Sequence, residues 1–202
     1  FPKAEFNIEG NPFHDFLRHI KAAVPTQVTL VPDAVEAATS NSGWKLSGEA
    51  VGNAERLGAL IAEMKWLGCR VSLFMDADSQ DFAVARDLGA DRVELYTEPY
   101  AAAFAAGPEE RERSLALFAD AGRRAQALGL GVNAGHDLNL LNLPAFLQRM
   151  KSGGEVAEVS IGHALIGDAL EFGMAATVKM YLAACGGDSA AAAAAPAGKS
   201  GA

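Results

Sequence analysis

Two Gly-His pairs each close a short apolar run in this sequence: Gly135-His136 ends GVNAGH, and Gly162-His163 ends SIGH. Imidazole gives or takes a proton near neutral pH. A glycine just past an apolar run lets the backbone turn sharply, and a histidine beside it then stands where parallel α/β proteins gather reacting groups, at the carboxyl ends of strands. Two carboxylates fit the same pattern. Glu9 ends AEFNIE with Gly10 behind it and could act as a general base where partial burial raises its pKa. Glu94 alternates with Val93 and Leu95 inside RVELY, so its period-2 phase sends it away from its apolar neighbours, into a barrel lumen. A carboxylate buried there either pairs with a basic residue or faces a substrate. At Gly162-His163, where an apolar run gives way to a helical pattern, unpaired backbone N–H groups suit a phosphate. Thr39, in the polar stretch Thr39–Gly43, reads as a solvated turn whose hydroxyl could reach a phosphate or carbonyl. His14 and His19 fall within a helical pattern and take surface or packing roles.

These residues need strands to carry them, and the hydrophobic pattern supplies six. Ala4–Glu9, Gln27–Val31, Arg70–Met75, Arg92–Tyr96, Gly131–Ala134 and Glu158–Ile161 are short, apolar or β-branched runs. Helical spacing follows each: from Asn11-Pro12 with Phe13, Phe16, Leu17 and Ile20 on one face, then about 49–67, 80–88, 108–128, 144–151 and 164–184. Residues 33–47 and Thr97–Gly107 read as irregular connections. Strict strand–helix alternation with short links argues for a parallel sheet with right-handed crossovers. The fold expected is an α/β (β/α)8 TIM barrel present as about six βα units, with its first two units apparently missing; such barrels take roughly 250 residues. One domain, residues 1–185, holds this pattern. The Ala/Gly-rich tail at 186–202 lacks large apolar side chains and reads as disordered.

Composition narrows the classes further. The chain has 202 residues, half of them hydrophobic, and a net charge of −8, which disfavours a nucleic-acid surface. No apolar stretch without charges reaches membrane-spanning length. Cys69 and Cys185 are lone and distant, which suits reduced thiols and a cytoplasmic setting. There is no GxxxxGK[ST], no GxGxxG after a strand, no HExxH and no cysteine cluster, so nucleotide-driven, dinucleotide and zinc chemistry are disfavoured. The residues leave open an acid–base synthase, another phosphate-binding isomerase or lyase, and a catalytically incomplete fragment that only packs with full-length subunits.

FNIEG, QVTLVPD, RVSLFMD, VELYTEPYA, GVNAGHDLN and SIGHALIG, in this order and spacing from about Ala4 to Leu182, resemble the pyridoxine 5′-phosphate synthase family. The resemblance implies a barrel that assembles as a homo-oligomer, an octamer in this family. It also implies condensation of 1-deoxy-D-xylulose 5-phosphate with 3-amino-2-oxopropyl phosphate, with no metal or organic cofactor. Position by position, it implies a general base at Glu9, a transition-state-stabilising glutamate at Glu94 and a proton donor at His136. Thr39 falls on a contact to the deoxyxylulose phosphate. Asp137, Gly162 and His163 fall on the aminooxopropyl phosphate site, Asp137 at a place where glycine is commoner. The family's Asn-x-Asp-His and His-x-Arg segments, carrying a further base and phosphate-binding arginines, have no counterpart in these residues.

Overall fold

The computed structural model describes residues 4–37 and 39–186. Six strands form one parallel sheet in sequence order: β1 (Asn7–Gly10), β2 (Gln27–Leu30), β3 (Arg70–Met75), β4 (Arg92–Tyr96), β5 (Gly131–Gly135) and β6 (Val156–Ser160). The register steps regularly from Glu9 beside Thr29 to Glu94 beside Asn133, with one irregularity between β5 and β6 at Val132/Asn133. The sheet curls into a half-barrel, and the curl brings β6 within reach of β2: the Gln27 amide donates to Glu158 across 2.9 Å.

Strand alternation separates two environments. Val28, Leu30, Val71, Leu73, Val93, Leu95 and Val132 point outward into the main core, under the helices. Each such burial contributes roughly 1.5–3 kcal/mol relative to exposure. Residues of the other phase, Gln27, Thr29, Ser72, Glu94 and Asn133, are equally buried but polar, and they line the concave side. Near the carboxyl ends this side turns apolar, with Val31, Phe74 and Tyr96 in a small cluster of their own.

The helices are α1 (Leu17–Ala23), α2 (Val51–Trp66), α3 (Phe82–Asp87), α4 (Glu98–Ala106), α5 (Pro108–Ala127), α6 (Leu143–Gly153), α7 (His163–Phe172) and α8 (Met174–Ala184). In α2 the buried residues Ala54, Leu57, Ile61 and Met64 recur at helical spacing on one face, the pattern that seats a helix on a sheet.

Besides shifted bounds of β1, which starts at Asn7 rather than Ala4, and of β6, which runs Val156–Ser160 rather than Glu158–Ile161, three elements differ from the sequence expectation. The first helix begins at Leu17 rather than at Asn11-Pro12, because the Asn11 side chain accepts from the Phe13 amide (2.8 Å) and donates to the Asp33 carbonyl (2.8 Å), holding a turn there. The small-residue stretch Thr97–Gly107 is helical, not a loop: Pro99 sits in the first turn of α4, and Gly107, at φ 135°, ends it. The expected last helix is two, α7 and α8, broken at Gly173 with φ 82°. The Ala/Gly-rich tail beyond Gly186 lies outside the described residues.

Candidate active site

The carboxyl ends of the strands open onto a cavity of about 410 Å³ lined by Glu9, Thr39, Phe74, Glu94, His136, Asp137, Ser160, Gly162 and His163. That volume lies within the roughly 300–1,000 Å³ usual for small-molecule sites. All seven residues singled out from the sequence line it; Phe74 and Ser160 were not foreseen. Their only sequence signal was strand phase: each lies an even number of residues from a luminal neighbour, Phe74 from Ser72 and Ser160 from Glu158.

Glu94 sits on β4 with 1 % of its surface exposed. The Thr29 hydroxyl stands 3.4 Å from its Oε2. Gly135, next to it on β5, has no room for a side chain, since a Cβ would stand 2.2 Å from Glu94 Oε1 and 2.9 Å from Ser160 Cβ. The glycine before His136 therefore makes space for a neighbour's carboxyl group. Burial, and next the charge of Glu9, push the Glu94 carboxyl up to about 8. The hydrogen bonds from Ser160 and Thr29 pull the other way without reversing this.

Glu9 lies on β1 at the rim and remains open to solvent. Loss of hydration within the mouth, and then the charge of Asp33, raise its carboxyl above the ordinary value; its openness keeps that push smaller than at Glu94. The two carboxyls are thus held at different proton affinities. At neutral pH the Glu94 carboxyl largely retains its proton.

His136 and Asp137 follow β5 with φ of 92° and 58°, a backbone region costly for residues with a Cβ, although Asp and His are among those enriched in it. Hydrogen bonds from neighbouring elements hold this turn. The Thr97 hydroxyl donates to the Gly135 and His136 carbonyls (2.7 and 2.5 Å), and the Asn142 amide donates to the Asp137 carbonyl (3.0 Å). The His136 ring packs edge-on to Tyr96, with centroids 5.1 Å apart. Its Nε2 lies 2.8 Å from Thr39 Oγ1, the donor being set by the ring's tautomer.

Thr39 reaches His136 because its loop is tied down, not because the loop has regular structure. Ser40 donates to Asp33 (2.6 Å), the Gly43 amide to Asp76 (2.9 Å), the Trp44 indole to the Leu30 carbonyl (2.8 Å) and the Leu46 amide to Asp81 (2.8 Å). Gly43 passes so close to β3 that a Cβ would stand 2.3 Å from the Asp76 nitrogen. Gly162 caps α7, and His163 is its first residue, so the start of that helix, where backbone amides lack intrahelical partners, borders the cavity.

Asp137 lies between the two histidines: its Oδ2 is 3.4 Å from His136 Nδ1, and its Oδ1 is 3.3 Å from His163 Nε2. The former contact lacks hydrogen-bonding alignment, and His136 Nδ1 is buried without a partner among the described residues. No group of three or more His, Cys, Asp and Glu side chains among them is arranged to hold a metal ion.

A curled parallel sheet with carboxylate and imidazole side chains at the carboxyl ends of its strands defines a barrel-type α/β protein with a cavity of titratable groups in its mouth. The model of the family described as "Pyridoxal phosphate biosynthesis protein PdxJ" matches residues 1–187. The chain is 52 % identical over 188 residues to the pyridoxine 5′-phosphate synthase of Allorhizobium ampelinum, covering 92 % of this chain and 72 % of that one. It is 54 % identical over 187 residues to the synthase of Albidiferax ferrireducens, covering 90 % and 71 %. The chain belongs to the pyridoxine 5′-phosphate synthase family. A mutant tryptophan synthase α-subunit from Pyrococcus furiosus shares the fold, with a TM-score of 0.51 at 17 % identity over 85 % of this chain and 60 % of that one.

Proposed function

We propose that this cavity condenses 1-deoxy-D-xylulose 5-phosphate with 3-amino-2-oxopropyl phosphate into pyridoxine 5′-phosphate, releasing phosphate and water. The observation that carries the reading is the carboxyl pair: Glu9 and Glu94 border one cavity with their proton affinities held apart, and His136 borders it too. The amine of one substrate joins the ketone of the other as an imine, releasing water; phosphate is expelled, and a carbon–carbon condensation that loses a second water closes the ring. Each of these steps moves a proton.

Glu9 is the base, open to the substrate at the rim. Glu94 keeps its proton and can donate a hydrogen bond to an oxygen on which negative charge develops. His136 delivers a proton to a departing oxygen from its fixed seat against Tyr96. The Thr39 hydroxyl contacts the phosphate of the deoxyxylulose substrate. The α7 amides at Gly162 and His163 take the phosphate of the other substrate, since a helix N-terminus carries partial positive charge.

The same reading places the protein in the cytoplasm as a homo-oligomer. Support comes from its free thiols, Cys69 and Cys185, and from the exposed apolar side chains Ile166, Leu170, Val178 and Leu182 on α7 and α8. No helix among the described residues is long and apolar enough to cross a membrane.

Incubation with both substrates should yield pyridoxine 5′-phosphate and inorganic phosphate in equal amounts, detected by mass spectrometry and a phosphate assay. Glu9→Gln should suppress both together. Phosphate release without ring closure would assign the cavity to a different lyase.

A further inference from the structure

We propose that Asp137 is a positioning residue whose carboxylate stands between His136 and His163 while the cavity is empty, and that a substrate phosphate must displace that carboxylate from His163. The proposal rests on the functional reading above, in which the start of α7 receives a phosphate, and adds what occupies that place beforehand.

The geometry is that of a bridge. One carboxylate oxygen lies 3.4 Å from His136 and the other 3.3 Å from His163. The carboxylate stands there on a turn in which two successive residues, His136 and Asp137, adopt positive φ. Thr97 and Asn142 hold that turn from outside. An unfavourable backbone maintained by several partners points to a purpose for the side chains it aims.

The two ends of the bridge are unequal, and this indicates which one opens. The His136 side chain is 18 % exposed and is also held by Thr39 and Tyr96. The His163 side chain is 77 % exposed, and Asp137 is its polar partner among the described residues. A phosphate arriving at the α7 amides meets the Asp137 carboxylate beside the same imidazole. Two anions there repel each other, with solvent screening reducing the repulsion at so exposed a site. His163 therefore exchanges Asp137 for the phosphate, while Asp137 stays behind His136. Asp137 in this view is not a ligand of the phosphate but its competitor.

Asp137→Asn and Asp137→Gly test this, since both residues accept positive φ and neither disturbs the turn. The probe is inorganic phosphate, measured both by calorimetric titration and as a competitor of 3-amino-2-oxopropyl phosphate. Removing the carboxylate should tighten phosphate binding by about fivefold to tenfold, the scale of a screened like-charge contact. KM for the aminooxopropyl substrate should fall with it. Turnover should fall rather than rise, because His136 loses the carboxylate behind it. Unchanged phosphate affinity in both variants would overturn the proposal and leave the phosphate site standing. Weaker affinity would make Asp137 a substrate ligand and overturn it too. Phosphate binding in none of the three proteins would overturn the functional reading and this proposal together.

Discussion

At the amino-terminal end of the lumen, Arg70 and Arg92 begin their strands facing Glu5, Gln27, Asn133 and Glu158; at the carboxyl end, Glu9, Glu94 and Asp137 line a cavity with two histidines and, among the described residues, no arginine or lysine. In the floor every formal charge finds an opposite. Arg92 donates to Asn133 (3.0 Å) and Glu158 (3.2 Å), and Arg70 donates to Gln27 (2.6 Å) and pairs with Glu5. The Arg70 pairing draws the Glu5 carboxyl down, by hydrogen bond first and charge second, while the mouth drives Glu9 and Glu94 up. Both ends place polar groups on the concave side of one sheet. The floor neutralises them and knits β2 to β6. The mouth instead raises the proton affinity of its two glutamate carboxyls. Stability is built at one end of the strands, and reactivity is kept at the other at stability's expense.

The largest effect should come from His136→Ala. Turnover should drop by roughly 10²–10⁴-fold, the usual contribution of a general acid or base, with far less change in KM. Unaltered turnover in steady-state kinetics would make the mouth as structural as the floor.

Next comes the cost of Glu94. Its folded pKa of about 8 exceeds the ordinary 4.5, so between those values the folded chain holds a proton that the unfolded chain releases. Its contribution is therefore present in full below pH 4.5 and is lost as pH rises through 8. Glu94→Gln keeps the shape without the titration. Its stability relative to wild type should rise by a few kcal/mol between pH 5 and pH 8.5, at about 1.4 kcal/mol per pK unit. Urea unfolding at both values checks this, and a difference independent of pH would contradict it.

In the floor, Arg92→Met takes one cation from Glu158, which keeps Gln27 at 2.9 Å and Arg70 at 3.7 Å, and should cost roughly 1–3 kcal/mol in urea unfolding, with turnover per folded molecule unchanged. A fall in turnover would erase the division between the two ends. The smallest effect belongs to Thr39→Val, which removes one hydroxyl from His136. It should change KM for the deoxyxylulose substrate by a few fold, about 0.5–1.5 kcal/mol for one hydrogen bond, and leave stability within experimental error.

The strand ends that carry the chemistry were legible because alternation and apolar runs are local properties. RVSLFM and RVELY form β3 and β4 over the residues expected. Thr97–Gly107 was less so: proline, tyrosine and alanines suit a loop or a helix equally, and what decides is Tyr100. It is buried against Phe118 and Phe146, with its hydroxyl on the Asn142 carbonyl. The break at Gly173 was hidden because apolar spacing continues through it, and one glycine within a helical pattern is tolerated as often as it ends one.

By itself the sequence determined the phase of Glu94, the glycine-histidine strand ends and the family signature, since each is written in neighbouring residues. Tertiary structure alone decided that Thr39 meets His136 from 97 residues away, that Gly135 yields its space to Glu94, and that Asp137 spans two histidines. It also set the two carboxyls apart, because a carboxyl's proton affinity depends on how much water and charge surround it. Those surroundings exist only once the sheet has curled and the loop of residues 33–47 has been tied across its mouth.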